Sequence, residues 1–384
     1  MKILQISASY KPAYCYGGPV MSVAKLTETL QTADYELEVF STTANGSTEL
    51  NVSPDSMHLV DGVRVWYFKR LTKDHSHFSP SLLIKLWNNV KRFDVIHIHA
   101  WWNLVSVLSC SIALLRGVPV VLSPRGTLSN YSFNKRHTGL KALFHLLLGK
   151  PLLSRCYIHT TTSHETKTVQ TRCTSRKTFT IANFVKLPVN PLSKEHQATK
   201  VQDATLKLIF LSRIDEKKGL DLLLQALRFQ QRPFHLTIAG NGTDSYIKQL
   251  KTIAADLQLE QHITWKGFAF EDKFRMLAAH DLLVLPSHDE NFGNVVIESL
   301  SVGTAVLLGT GVGLADYVSS NQLGWVSSND VETLSRFLHY ADQHREQLAM
   351  IRERSPQRIS VDFDDRHLLH QYQNMYQSVY LQNR

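Results

Sequence analysis

Along this chain short apolar runs alternate with longer stretches in which apolar residues recur three and four positions apart. The runs read as buried strands and the stretches as amphipathic helices. Lys2 to Ser7 predicts a strand, and Val20, Val23, Ala24, Leu26 and Leu30 predict the helix after it, with Pro19 in its first turn. A strand at 36–40, a turn-rich segment from Ser41 to Asp61 and a strand at 63–68 follow. Ser79-Pro80 opens a helix to about Arg92, with Ser79 as its expected cap. From Asp94 to Ala100 the period is two, which sets His97 and His99 on one face of a strand and the isoleucines on the other. A buried strand after Pro119, a leucine-rich helix at 137–155, a strand at 157–162, a helix capped from Ser163 and a strand at 178–181 complete this half.

Between Pro188 and Thr205 the chain is polar and aperiodic, as a linker is. The alternation then restarts with strands expected at 206–212, from Phe234, at 263–266, at 282–285, at 305–308 and at Gly324. Helices are expected around Leu222–Leu227, at 245–257, at 271–279, after Gly293, and from about Asp364 to Tyr380. Repeated strand-helix units call for parallel sheets, an α/β class. At 384 residues there is room for two domains, placed at 1–187 and 205–363.

Composition narrows the function. Hydrophobic content of 43% with 20% charged residues is that of a soluble globular protein, and no apolar run is long enough to span a bilayer. The opening apolar run is too short for a secretory signal, so a cytoplasmic location is expected. Cys15, Cys110, Cys156 and Cys173 form no Cys-x-x-Cys pair and read as reduced packing residues. The net charge of +9 favours an acidic partner: a nucleotide diphosphate, an anionic membrane surface or nucleic acid. No nucleic-acid module is visible, which leaves nucleic acid least favoured.

Two stretches carry candidate chemistry. In Leu283 to Val302 a strand stops at Pro286, a polar loop holds Glu290, and a helix holding Glu298 follows Gly293. The carboxylates are too far apart to share a proton but can grip two parts of one extended ligand. Between them the amides of Phe292, Gly293 and Asn294 suit an anion such as a diphosphate. In Ser212 to Asp221, Arg213 and Lys218 precede a glycine and a helix start, so two fixed cations and free amides point one way. Gly17 and Gly18 would let the backbone approach a ligand, although their spacing is not that of a dinucleotide-binding turn.

At these residues the chain resembles the retaining glycosyltransferases of family 4, which share the GT-B fold of two Rossmann-like domains facing a cleft. Glu290-Asn-Phe-Gly-Asn-Val-Val-Ile-Glu298 looks like that family's glutamate pair, and Arg213 to Gly219 like its Arg-x-x-x-x-Lys-Gly pattern. The resemblance implies that Glu298 bonds the nucleotide ribose, Glu290 meets the donor sugar, and Arg213 and Lys218 neutralise the donor diphosphate. It further implies nucleotide contacts at Gly17, Gly18, Gly240, Gly242, Phe292, Gly293, Asn294 and Val295, and places His99, at a strand end, by the sugar or acceptor. His97 reads as a satisfied core histidine. Ser123 to Leu128 resembles an acceptor-side loop of transferases that build bacterial surface polysaccharides, such as lipopolysaccharide or capsule. There Arg125 either meets the acceptor or braces the loop.

The implied reaction moves a hexose from a UDP- or GDP-linked donor to a glycan or lipid-linked glycan hydroxyl, with retention. No metal or cofactor is expected, since fixed cations do what magnesium does elsewhere. The terminal helix, about 364–384, is expected to cross back to the first domain. Lys135, Arg136, Lys141, Lys150 and Arg155 around the leucine-rich helix would suit peripheral contact with the inner face of the cell membrane, although a helix packed on the sheet explains them as well. A nucleotide-sugar epimerase of the same fold and a non-catalytic nucleotide-sugar binder are the competing readings. A phosphorylase would need a pyridoxal-bearing lysine, for which no match is found.

Overall fold

A computed structural model describes residues 1–33, 35–129, 131–132, 138–188, 205–267 and 272–384. Lys135, Arg136, His137, the Lys141 side chain, Glu271 and most of the expected linker lie outside them. The chain divides into one unit of Met1–Phe184 with Asp365–Arg384, and a second of Val185–Asp364.

The first unit holds β1 (Lys2–Ser7), β2 (Glu36–Thr42), β3 (Ala44–Asn45), β4 (Thr48–Glu49), β5 (Ser56–Val60), β6 (Val63–Phe68), β7 (Val95–His99), β8 (Val120–Ser123), β9 (Tyr157–Thr160) and β10 (Lys177–Thr180). Eight of them form one sheet in the order β10-β9-β8-β7-β1-β2-β6-β5, parallel except for β5 against β6. The turn-rich segment 41–61 therefore contains strand: β3 and β4 pair as a two-residue ribbon, too short to leave a period. Buried Arg70 pins that ribbon by donating to the carbonyls of Gly46 and Thr48 and to Glu49.

Each face of this sheet carries its own core. Ile96 and Ile98 pack with Leu4, Ile6 and Leu122 on one side. On the other, Val95 packs with Val39, Val121, Tyr157 and the helix Asp365–Leu381. That helix supplies Leu368, Tyr372, Met375, Tyr376 and Val379, a stripe repeating at helical spacing.

Two expected caps differ. The Ser79 hydroxyl donates to the Lys69 carbonyl at 2.8 Å, and it caps nothing. Thr162, one residue before Ser163, accepts from the Glu165 amide and opens the helix Ser163–Gln170.

The second unit is a six-stranded parallel sheet of β11 (Leu206–Leu211), β12 (Phe234–Ala239), β13 (Ile263–Gly267), β14 (Leu282–Leu285), β15 (Ala305–Gly309) and β16 (Gly324–Ser327). Its order, β13-β12-β11-β14-β15-β16, is the doubly wound one. Strand order reverses between β11 and β14, and ligands of such sheets bind outside the carboxyl ends of the strands at this reversal. Helices Val331–Gln343 and Arg345–Asp362, unanticipated from the sequence, also belong to this unit. The second packs on the helix Asn294–Ser301, where Ser355 donates to the Leu300 carbonyl at 2.9 Å.

Candidate functional site

The loops leaving β11 and β14 come together at that reversal. After β11, Asp215 accepts from the Lys217 amide and closes a single turn, Glu216–Lys218, that carries Lys218 inward. After β14, Pro286 ends the strand and the loop turns back, its His288 amide donating to the Lys217 carbonyl at 2.8 Å. A side chain at Gly219 would stand 2.3 Å from the Pro286 carbonyl oxygen, so only glycine lets the two loops meet. Gly240 has the same reason on the other flank, since a Cβ there would fall 1.8 Å from the Ser212 carbonyl oxygen. Gly242 bridges Ile214.

Lys218 and Glu290 form an ion pair across this seam. Burial pushes the Glu290 carboxyl up, but the Lys218 ammonium beside it, with Lys217 and Arg213 farther off, outweighs burial and holds it below the ordinary carboxylate range. Lys217, which the sequence reading passed over, stands 3.7 Å from Asp289, and its burial lowers its pKa. Arg213 is exposed and makes no hydrogen bond or ion pair among the described residues. The site therefore offers one cation already fixed on a carboxylate and one open to an arriving anion.

Gly293, at positive φ, precedes the helix Asn294–Ser301, and the buried Phe292 ring stacks edge-on to Phe363. Glu298, one helical turn farther in, accepts from Lys273 Nζ at 2.6 Å. Each glutamate of the pair thus has its own lysine: Glu290 takes Lys218 and Glu298 takes Lys273. Lys273 was missed because a lysine on an expected helix reads as solvated surface, and its partner Glu298 lies 25 residues away. Asn294 and Val295 are half-buried on the helix's first turn.

In the first unit the order reverses between β1 and β7, and His99 ends β7 opposite Ser7. Gly17, at positive φ, and exposed Gly18 open the helix Gly18–Gln31, and nothing lies within 4 Å of where a Gly17 Cβ would stand. His99 is only 2% exposed, and both its ring nitrogens are engaged. Nε2 lies 2.8 Å from Gln5 Oε1, an acceptor, and so carries the proton; Nδ1 accepts from Arg125 Nε at 3.1 Å. In this arrangement His99 offers neither nitrogen to a ligand and acts by orienting Arg125.

Arg125 reaches inward, donating through Nη1 to Ser22 and to Asn183 at 3.0 Å each. Its loop is held by Glu165, a residue the sequence reading did not single out, whose carboxylate accepts from the Gly126 and Thr161 amides.

The hydrogen bonds behind His99 run in one direction. His159 Nε2 donates to the Ile181 carbonyl, so Nδ1 accepts from Ser123, and Ser123 accepts from His97 Nε2. His97 Nδ1 therefore accepts from Tyr376, and Tyr376 accepts from the Gln5 amide whose carbonyl takes the His99 proton. Burial, with the positive charge of Arg125 adding to it, lowers His159 to about 3 and holds His97 and His99 well below their ordinary range. Three neutral histidines beside an arginine make a fixed polar scaffold.

Among the described residues no three His, Cys, Asp or Glu side chains gather as a metal site, and no helix is long and apolar enough to cross a membrane. Cys110 and Cys156, distant in sequence, lie 3.4 Å apart sulfur to sulfur as free thiols.

Comparison with known proteins finds matches along both halves of the chain. Residues 16–187 match the family described as Glycosyltransferase Family 4, and residues 193–358 that described as Glycosyl transferases group 1. A putative colanic acid biosynthesis glycosyltransferase, WcaL of Salmonella typhimurium, is 26% identical over 196 residues, 48% of each chain. The chain thus spans about half the length of this curated relative. A sucrose-phosphate synthase from Thermosynechococcus elongatus shares the fold with a TM-score of 0.78 and 17% identity, over 99% of both chains. Anabaena HepE, solved in complex with UDP and glucose, does so with a TM-score of 0.74 and 19% identity, over 98% of this chain and 100% of its own.

Proposed function

This chain belongs to glycosyltransferase family 4, with the GT-B fold, and from that premise we propose that it is a retaining, metal-independent hexosyltransferase. Its donor would be a UDP- or GDP-linked sugar, and its acceptor a hydroxyl of a glycan or lipid-linked glycan in surface-polysaccharide synthesis. The observation that carries the reading is the pairing of Lys218 with Glu290 beside exposed Arg213, at the reversal of a doubly wound sheet.

Breaking a sugar–phosphate bond leaves negative charge on a diphosphate, and fixed cations placed where that charge develops lower the barrier. Arg213 and Lys218 would take that charge, with the amides at the start of Asn294–Ser301 as further donors. Glu298 would accept from the ribose hydroxyls, with Lys273 holding the carboxylate in place. Glu290 would hold Lys218 and meet the sugar. Gly17 and Gly18 would border the donor diphosphate and the acceptor. On the acceptor side Arg125, oriented by His99, Ser22 and Asn183, is the group that would meet phosphate or sugar hydroxyls.

UDP is the first nucleotide to try, because HepE was solved with it, and a surface glycan the first acceptor class, because WcaL is named for colanic acid. A lipid-linked acceptor would bring the enzyme to the cytoplasmic face of the cell membrane as a peripheral protein. The test is a screen of donor hydrolysis across UDP-, GDP- and ADP-sugars. The reading expects slow release of one nucleotide that Lys218→Ala abolishes; equal release from the variant removes Lys218 from the chemistry.

A further inference from the structure

We infer that the acceptor carries a negative charge of its own, a phosphate or a carboxylate, and that Arg125 is the group that receives it. The inference rests on the transferase reading and narrows its acceptor side. Arg125 stands two residues beyond β8 and takes φ 51°, a backbone conformation that residues with side chains rarely adopt. Its loop does not need it as a brace. Glu165 holds the Gly126 amide, the Ser132 hydroxyl donates to the Gly126 carbonyl at 3.1 Å, and Trp102 Nε1 donates to the Thr127 carbonyl at 2.6 Å.

The donors of Arg125 are only partly used. Nε meets His99, and Nη1 meets Ser22 and Asn183; these three partners are buried, whereas Arg125 itself is partly exposed. A guanidinium has five N–H groups, so both protons of Nη2 remain without a partner among the described residues.

The charge of Arg125 is unmatched as well. Arg70 meets Glu49 at 2.7 Å and Arg352 meets Asp281 at 3.6 Å, the usual arrangement for an arginine drawn out of water. Arg125 has no carboxylate at ion-pair distance among the described residues, since Glu165 commits its two oxygens to the Gly126 and Thr161 amides. Burial works against the Arg125 charge, and Tyr372, Glu165 and Tyr376 offset it only in part. Ser22 lies near the start of the helix Gly18–Gln31, whose first turn holds no acidic residue, so the guanidinium stands beside the positive end of a helix dipole. A cation and a helix start placed together repel each other, and both attract an anion. A neutral sugar would leave both unmet. A phosphate or carboxylate oxygen on Nη2 answers them together with a charge-assisted hydrogen bond.

The test is calorimetry on the full chain saturated with UDP, so that Arg213 and Lys218 are already taken, titrated with glucose 6-phosphate, glucuronate and glucose. One of the two anionic sugars should bind, and neutral glucose should bind about tenfold more weakly or not at all. Glucose 6-phosphate as the better ligand points to a phosphate-bearing acceptor, and glucuronate to one containing a sugar acid. Arg125→Met should lose about tenfold or more for that anionic sugar and Arg125→Lys less, with UDP affinity unchanged in both. Asn183→Asp, which leaves Arg125 in place, should weaken the anionic sugar about as much, because it sets a carboxylate against Nη1 and supplies the counter-charge from within. Equal binding of glucose and the anionic sugars, binding of none, or anion binding unchanged in Asn183→Asp and Arg125→Met overturns the inference. So does a loss of UDP affinity in Arg125→Met as large as the loss for the anionic sugar, which gives Arg125 to the donor. UDP binding without any preference for an anionic sugar sinks this inference alone. A preference that Arg125→Met erases, in a chain that binds no nucleotide, sinks the transferase reading alone.

Discussion

Lys218 and Glu290 lie 72 residues apart in sequence and close an ion pair where the strand order of the second sheet reverses. Lys218 is nearly buried, and its side chain is held in place before any ligand arrives. A cation fixed in advance spends no reorganisation energy when a diphosphate departs. Lys218→Ala should therefore lower kcat by about 10²- to 10³-fold, the range for removing one fixed donor from developing negative charge, and change nucleotide affinity far less. Steady-state kinetics beside calorimetry would separate the two effects, and an affinity loss as large as the turnover loss would argue against the role.

Glu298 should behave in the opposite way. Charge-assisted hydrogen bonds are worth about 1.5–3 kcal/mol, so Glu298→Ala should weaken nucleotide binding roughly ten- to a hundredfold. The thermal stabilisation of the protein by a saturating nucleotide should shrink in step. Unchanged nucleotide protection in the variant would remove the ribose from Glu298.

Tyr376 touches no ligand in this account and works through Gln5 and His97. Tyr376→Phe deletes the hydroxyl that accepts from Gln5, so Gln5 can flip and release the His99 proton. The expected result is a higher KM for acceptor at unchanged nucleotide affinity, with a stability loss of about 1–2 kcal/mol. A variant that loses stability alone would make the hydroxyl purely structural.

The histidine cluster sets an acid limit. In the folded chain His97, His99 and His159 stay neutral, whereas unfolded histidine titrates at about 6.5. Below that pH the unfolded state binds more protons, so stability falls as pH falls, by about 1.4 kcal/mol per pH unit for each such histidine. For His159 the loss continues down to about 3. Melting temperature should drop steeply between about pH 6 and pH 5, and less steeply in His159→Gln. Parallel curves for the two proteins would show that other groups set the limit.

What the sequence made readable follows from the range of each interaction. The strands that line both sheets are short apolar runs bounded by turn residues, a local signal. Arg213, Lys218 and Glu290 could be singled out because each stands in a loop or turn beside a strand end, and Glu298 because it follows one turn into the helix that such a loop opens. The ribbon of β3 and β4 was lost because two residues hold no period. Helix Arg345–Asp362 carries Pro356 and no continuous apolar stripe, so it read as nothing in particular. The chain of bonds from Ile181 to Arg125 could not be read at all, since His97 and Tyr376 are 279 residues apart. Its members look like ordinary core residues until the last helix is laid on the sheet.

The most direct measurement is calorimetric titration of UDP, GDP and ADP, and of their monophosphates, into the wild-type chain and Arg213→Ala. The account predicts that one nucleoside diphosphate binds the wild type, and that the variant loses about tenfold or more for that diphosphate with little change for its monophosphate. If no nucleoside diphosphate binds, or if Arg213→Ala binds it as the wild type does, the site at the reversal of the second sheet is not where a nucleotide sugar is held.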